Sequence, residues 1–252
     1  MARRRSPSDV DPVIPQSSRS RHRRGVQDVE QMPFSNLEFA ENPEPRVPCV
    51  LVLDVSGSMV GQPIEELNRG LVAYRDALVA DPLAAKRVEI SIITFGSRVD
   101  TVCDFVTVDR FEPPMLAADG LTHMGEAVNR AIDSLESRKR SYRDNGIAYY
   151  RPWLFLISDG APNDPGWELA AARAVACEDT KAFKTFCIGV GNADVQTLGR
   201  FSRSEPLRLQ GLMFRDMFLW LSRSQKSVSR SNIGDSVPLE NPTGPKGWGS
   251  ID

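Results

Sequence analysis

No run of apolar residues in this chain of 252 approaches the roughly 18–20 that a membrane-spanning helix needs, so no membrane span is expected. Charge of one sign is also missing: 31 Lys and Arg stand against 33 Asp and Glu, and the net charge of -2 offers no field for nucleic acid or anionic lipid. Cysteine is sparse, and Cys49, Cys103, Cys177 and Cys187 form no C-x-x-C pair or Cys/His spacing suited to zinc. They are expected to be buried, reduced thiols. After the basic start, the segment beyond Arg5 is polar and broken by Pro7, Pro12 and Pro15, so it lacks the apolar centre of a secretory signal. The expected location is the cytoplasm. There is no G-x-x-x-x-G-K-[ST] run, and Gly189-Val190-Gly191 has no properly spaced third glycine, which leaves nucleotide binding unsupported.

What the chain does contain is ordinary for a globular protein, at 41% hydrophobic and 25% charged residues. Its length suits one α/β domain with tails. Residues 1–45 are read as a basic, largely disordered arm. It carries Arg3, Arg4, Arg5, Arg19, Arg21, Arg23 and Arg24 among Ser and Pro, with too little apolar surface to fold. No aromatic residues are interleaved with these arginines, so nucleic-acid binding is only a minor option. Residues 224–252, rich in Ser, Gly, Asn and Pro, are read as a flexible tail. The folded domain is expected over 46–223.

Within it, buried strands alternate with amphipathic helices. Cys49–Leu53, Val88–Phe95 and Trp153–Ile157 are continuously apolar, as strands covered on both faces are. Phe183–Val190 reads as another strand, Val99–Val108 as an antiparallel edge, and Leu207–Leu209 as a last edge strand. Helical spacing runs from Pro63 through Ile64, Leu67, Leu71, Tyr74 and Leu78, and from Leu121 through Met124, Val128, Ile132 and Leu135. The second stripe fades into the charged stretch Glu136–Asp144, expected as a solvated face. Trp167–Lys181 and Met213–Leu221 read as helices, with a short one through Leu198. This alternation predicts an α/β fold: a Rossmann-like three-layer αβα sandwich around a mostly parallel sheet with one antiparallel edge strand.

Binding sites in such sheets lie beyond the carboxyl ends of the strands. Three polar clusters fall there: Asp54-Val55-Ser56-Gly57-Ser58, Leu121-Thr122, and Ser158-Asp159-Gly160. Asp54, Ser56 and Ser58 alternate at a spacing of two, and Gly57 permits the curvature that aims their oxygens at one point. Mg2+ takes oxygen ligands and keeps several waters, so Asp54, Ser56, Ser58, Thr122 and Asp159 would supply an incomplete shell, with Mn2+ as an alternative ion. Neutral hydroxyls would leave the cation's charge only partly compensated, so a partner's Asp or Glu would be attracted. In isolation each cluster also reads as helix capping or turn chemistry. Their occurrence together in this order favours the metal.

These residues, in Val52-Leu53-Asp54-Val55-Ser56-Gly57-Ser58-Met59, Thr122-His123-Met124-Gly125 and Ile157-Ser158-Asp159-Gly160-Ala161-Pro162, resemble the metal-ion-dependent adhesion site of von Willebrand factor A domains. The resemblance covers roughly Val47 to Leu221. Gly61-Gln62-Pro63-Ile64, Ile90–Gly96 and Leu121–Gly125 look most like the bacterial tellurium-resistance TerY-like branch. The resemblance implies metal-dependent protein interaction without catalysis. It also implies association with a protein kinase and a metal-dependent Ser/Thr phosphatase in stress-resistance or phage-defence systems.

Two catalytic classes fail on the residues present. A phosphoaspartate-forming phosphatase needs a second acid two residues after the nucleophile, where this chain has Ser56. Serine hydrolysis fails because Gly57-Ser58-Met59-Val60-Gly61 is not G-x-S-x-G and His123 has no sign of a triad role. His123 is expected as a loop or packing residue. A metal-independent scaffold acting through its tails is the non-enzymatic alternative.

Overall fold

The computed structural model describes residues 37–245 and 247–251; the arginines expected to form a basic arm fall outside the described residues. From the start of the described chain the elements are α1 (Leu37–Glu41), β1 (Val47–Asp54), α2 (Gln62–Val79), α3 (Pro82–Arg87), β2 (Val88–Phe95), β3 (Val99–Thr107) and α4 (Met124–Asp144). Then follow β4 (Trp153–Ser158), α5 (Trp167–Asp179), β5 (Lys184–Gly189), α6 (Val195–Gly199), β6 (Leu207–Leu209), α7 (Phe214–Arg230) and β7 (Gly249–Ser250).

β1, β2 and β4 are buried along their whole lengths. Continuous Val, Ile and Leu runs can be satisfied only when both strand faces are covered. The seven strands form one sheet in the order β3-β2-β1-β4-β5-β6-β7, with β1 in the middle, parallel to β2 and β4. Side chains of β1 alternate between two cores. Cys49, Leu51 and Leu53 pack with Leu67, Leu71 and Tyr74 of α2 and Phe218 of α7. Val50 and Val52 pack with Met124, Val128 and Ile132 of α4 and Ala174 of α5. The result is the expected three-layer α/β sandwich. It has two antiparallel edges rather than one, because β3 pairs antiparallel with β2 and β7 antiparallel with β6. Leu207–Leu209 is therefore not the last strand.

Local chemistry sets several boundaries. Pro63 sits at the start of α2, where its missing N–H costs nothing. Asp81 ends the α2 segment and opens α3, its Oδ1 accepting from Leu83 N and Ala84 N at 3.2 Å each. Leu121, expected in the second helical stripe, precedes α4 and is 53% exposed.

The charged end of α4 is not simply solvated. Glu89, 1% exposed, accepts 2.8 Å hydrogen bonds from Arg46 Nε and from Arg138 Nε and Nη2, and a further bond from the Tyr142 hydroxyl. Phe39 of α1 lies under the Arg138 guanidinium, 4.9 Å from its ring centroid, and edge-on to Tyr142. Part of the predicted arm, Leu37–Glu41, thus belongs to the packed domain.

The stretch 224–252, expected as a flexible tail, is also packed where described. α7 continues to Arg230 with Ser224, Gln225 and Ser229 buried. Trp220 Nε1 donates to Glu240 O at 2.8 Å, and Trp248, 3% exposed, stands edge-on to Trp220 at 5.5 Å before the chain pairs with β6. Serine-rich composition conceals the helix because buried Ser222 and Ser229 bond back to its own carbonyls, at Leu219 O and Lys226 O.

The four cysteines are free; Cys49 and Cys187 are buried and Cys103 and Cys177 partly exposed. Burial pushes the Cys49 thiol up to about 12, which makes it inert. Among the described residues no helix is long and apolar enough to cross a membrane.

Candidate metal centre

Parallel pairing brings the carboxyl ends of β1, β2 and β4 to one edge, with Asp54 opposite Phe95 and Leu53 opposite Ile157. Asp54 closes β1 and is fully buried; Ser158 closes β4 and is equally buried. The Ser158 hydroxyl donates to Asp54 Oδ2, and the Ser56 N–H donates to Asp54 Oδ1 at 2.8 Å. Beyond Asp54 the chain makes a tight turn over Gly57–Met59, which presents Ser56 and Ser58 on the same side, their Oγ atoms 3.0 Å apart. Ser58 Oγ in turn donates to Asp159 Oδ1 at 2.6 Å. Asp54, Ser56, Ser58 and Asp159 thereby form one connected polar cluster built from residues about a hundred positions apart.

Thr122 arrives by a different route. Its N–H donates to Asn163 Oδ1 and its carbonyl accepts from Asn163 N, both at 3.1 Å, which clamps it to the segment following Asp159. Its side chain lies against Gly160, with Oγ1 3.7 Å from where a Cβ on that glycine would be. Thr122 is 7% exposed, and among the described residues its hydroxyl has no hydrogen-bond partner. The structure therefore joins four of the five candidate residues by hydrogen bonds and places the fifth beside them, unbonded.

Capping does not account for these side chains. Ser56 makes no side-chain cap to the turn it precedes, and His123, at the N-cap of α4, makes none either. Asp164 serves α4 instead, accepting from Gly125 N at 3.2 Å and Glu126 N at 2.9 Å. His123 is a partly buried loop residue whose N–H bonds to Gly96 O. Gly120, at φ +78°, takes a conformation open chiefly to glycine, and its carbonyl accepts from Gly57 N at 3.0 Å, fixing the two loops together.

Among the described residues the partners of Asp54 and Asp159 are hydroxyls and a backbone N–H, with no Lys or Arg. Burial pushes the Asp54 carboxyl above the ordinary aspartate range; bonds from Ser158 and Ser56 pull it down, and the nearby Asp159 carboxylate pushes it up again. Among the described residues no group of three or more His, Cys, Asp or Glu side chains converges, so nothing here resembles a zinc cage or a carboxylate-rich calcium loop. Two carboxylates, two linked serine hydroxyls and an orphaned threonine hydroxyl fit a hard divalent ion that retains water.

Three supporting residues escaped the candidate set: Ser158, which bonds to Asp54, Asn163, which clamps Thr122, and Asp164, which caps α4. Ser158 stood within a recognised cluster; Asn163-Asp164-Pro165 has turn-forming composition, but nothing local says that it reaches across to α4.

A family model of the von Willebrand factor type A domain matches residues 49–216. Among solved structures, the pilus adhesin SpaC from Lactobacillus rhamnosus GG aligns with a TM-score of 0.58 at 14% identity, covering 75% of this chain and 31% of the adhesin. The von Willebrand domain of a type V pili tip protein from Porphyromonas gingivalis gives 0.51 at 10%, covering 74% of this chain and 95% of that one. Proximal thread matrix protein 1 from the mussel byssus gives 0.51 at 13%, covering 73% and 49%. The chain thus spans about half of the mussel protein and under a third of the adhesin. At these identities the likeness is one of fold. Among curated proteins none matches. The matched family model takes in the central strands and all three clusters, and the chain belongs to the von Willebrand factor type A domain family.

Proposed function

We propose that this chain is a non-enzymatic protein-interaction module in which Asp54, Ser56, Ser58, Thr122 and Asp159 hold Mg2+, or Mn2+ in its place, and that a partner's Asp or Glu binds there. The observation that carries this reading is the pair of carboxylates at the sheet edge with hydroxyl neighbours and, among the described residues, no cationic side chain. When bound, the ion would supply an incompletely neutralised positive charge for an outside carboxylate. The residues of the chain do the rest. Ser158 orients Asp54, the Asn163 clamp holds Thr122 in place, and the Gly57–Gly120 bond fixes the turn.

Catalysis is disfavoured because Ser56 occupies the position where an aspartate-based phosphatase needs its acid. A kinase and a metal-dependent phosphatase as partners, a role in tellurium resistance or phage defence, and a cytoplasmic location belong to the same proposal. They rest on the sequence likeness at Gly61–Ile64, Ile90–Gly96 and Leu121–Gly125. Calorimetric titration of Mg2+ into the full chain tests the metal. Asp54→Ala and Thr122→Ala are expected to abolish binding with the fold retained, and unchanged affinity in both would overturn the reading. Partner capture that chelator leaves undiminished would favour a metal-independent scaffold.

A further inference from the structure

Beside the candidate metal centre lies a cleft of about 510 Å3, walled by β3 on one side and by the extended segment Met115–Gly120 on the other. It adjoins the turn that carries Ser56 and Ser58. Gly120 lines the cleft while its carbonyl holds Gly57 of the metal turn, and Thr122 is two residues further on. Asp119 N bonds to Val55 O at 2.8 Å, so the wall is fixed to the end of β1 rather than loosely draped over it.

The lining has two characters. Met115 is 86% exposed and Val102 41%, an apolar surface open to solvent at the mouth. The polar lining includes the exposed carboxylates of Asp100 and Asp119 and the largely buried Thr94. Thr94 is 6% exposed and its hydroxyl has no hydrogen-bond partner among the described residues. Asp100 is its cross-strand partner, so both side chains fall on the same face of the sheet. Asp119 has no ion pair among the described residues, and the only basic group at the rim, Arg98, is 85% exposed and 3.7 Å from Asp100. Such a solvent-exposed pair exchanges easily. The cleft thus joins an apolar wall to two exposed carboxylates and one exposed arginine, a net negative lining.

A long side chain with an apolar stem and a cationic head matches both parts: the stem against Met115 and Val102, the head at Asp100, Asp119 and the Thr94 hydroxyl. We propose that this cleft takes a lysine or arginine of the same partner segment whose carboxylate meets the metal centre, so that the partner is a segment with an acidic and a basic residue close together. This rests on the metal reading of the preceding subsection and specifies the partner for it.

The test uses a displayed library of random linear peptides selected on the full chain with Mg2+ present. Enriched peptides are expected to carry an acidic residue with a lysine or arginine nearby, and to be released by chelator. Replacing that basic residue by Met in a selected peptide should weaken binding roughly 10-fold or more, as coupled charge pairs at interfaces do. On the Asp100→Asn, Asp119→Asn double variant the same replacement should cost almost nothing. Both positions are at the surface, so the variant should keep the wild-type melting temperature and Mg2+ affinity. Chelator-sensitive peptides with an acid but no enriched base would overturn the cleft and leave the metal reading standing. Binders indifferent to chelator, or no binders at all, would overturn the metal reading and the cleft with it.

Discussion

The Ser158 hydroxyl donates a hydrogen bond to Asp54 Oδ2, linking the last residue of β4 to the last residue of β1 across 104 positions of sequence. Outer partners of this kind orient a ligand without touching the ion, and their loss costs about 10–100-fold in metal affinity. Ser158→Ala is therefore expected to weaken Mg2+ binding by about that factor with the melting temperature little changed. Isothermal titration calorimetry reads this directly, and wild-type affinity would mean that the Ser56 N–H alone suffices to hold Asp54.

At the other end of the sheet, Glu89 accepts from Arg46, Arg138 and Tyr142 together, and Arg46 is 1% exposed. A buried ion pair adds little over an apolar replacement, but removing one partner strands the other charge. Glu89→Ala should cost about 3–5 kcal/mol in urea unfolding. A loss below about 1 kcal/mol would show that water reaches the arginines at no penalty.

Trp248 distinguishes a packed carboxyl-terminal segment from a loose one. It is 3% exposed against Trp220 at the start of the β7 pairing. Trp248→Ala is expected to destabilise the protein by about 3–5 kcal/mol, the usual loss for a buried tryptophan. A melting curve superimposable on the wild type would return residues 231–251 to the status of a tail.

Acid sensitivity should run through Glu178. Burial pushes its carboxyl up, but the backbone N–H of Arg203, the Lys184 ammonium and the Thr185 N–H outweigh this and hold it below the ordinary glutamate value. A depressed folded value means that the stabilisation is present above the ordinary glutamate pKa and is lost as pH falls through the folded one. Glu178→Gln should thus lower the melting temperature at neutral pH, with the difference narrowing in acid below the glutamate range. A difference independent of pH would assign Glu178 a purely steric role.

Much of this molecule was legible in the chain itself. The runs Cys49–Leu53, Val88–Phe95 and Trp153–Ile157 are apolar enough to specify strands covered on both faces, and the polar residues that end them mark the edge where a site belongs. The charged end of α4 reads as solvated because burial of Arg138 and Lys139 depends on Glu89 and Glu136 meeting them, and charge alone does not disclose a partner.

By itself the sequence determined the α/β alternation and which oxygen-bearing side chains stand at strand ends, since both follow from periodicity and from residues only a few positions apart. Only the tertiary structure decided that Ser158 holds Asp54, that Asp164 caps α4, that Gly249–Ser250 adds a seventh strand, and that Thr94, Asp100 and Asp119 share a cleft. Each of these joins backbone or side-chain groups from separate elements. Hydrogen bonds and exposed charges of that kind have no period to read, because their partners are chosen by how the layers pack.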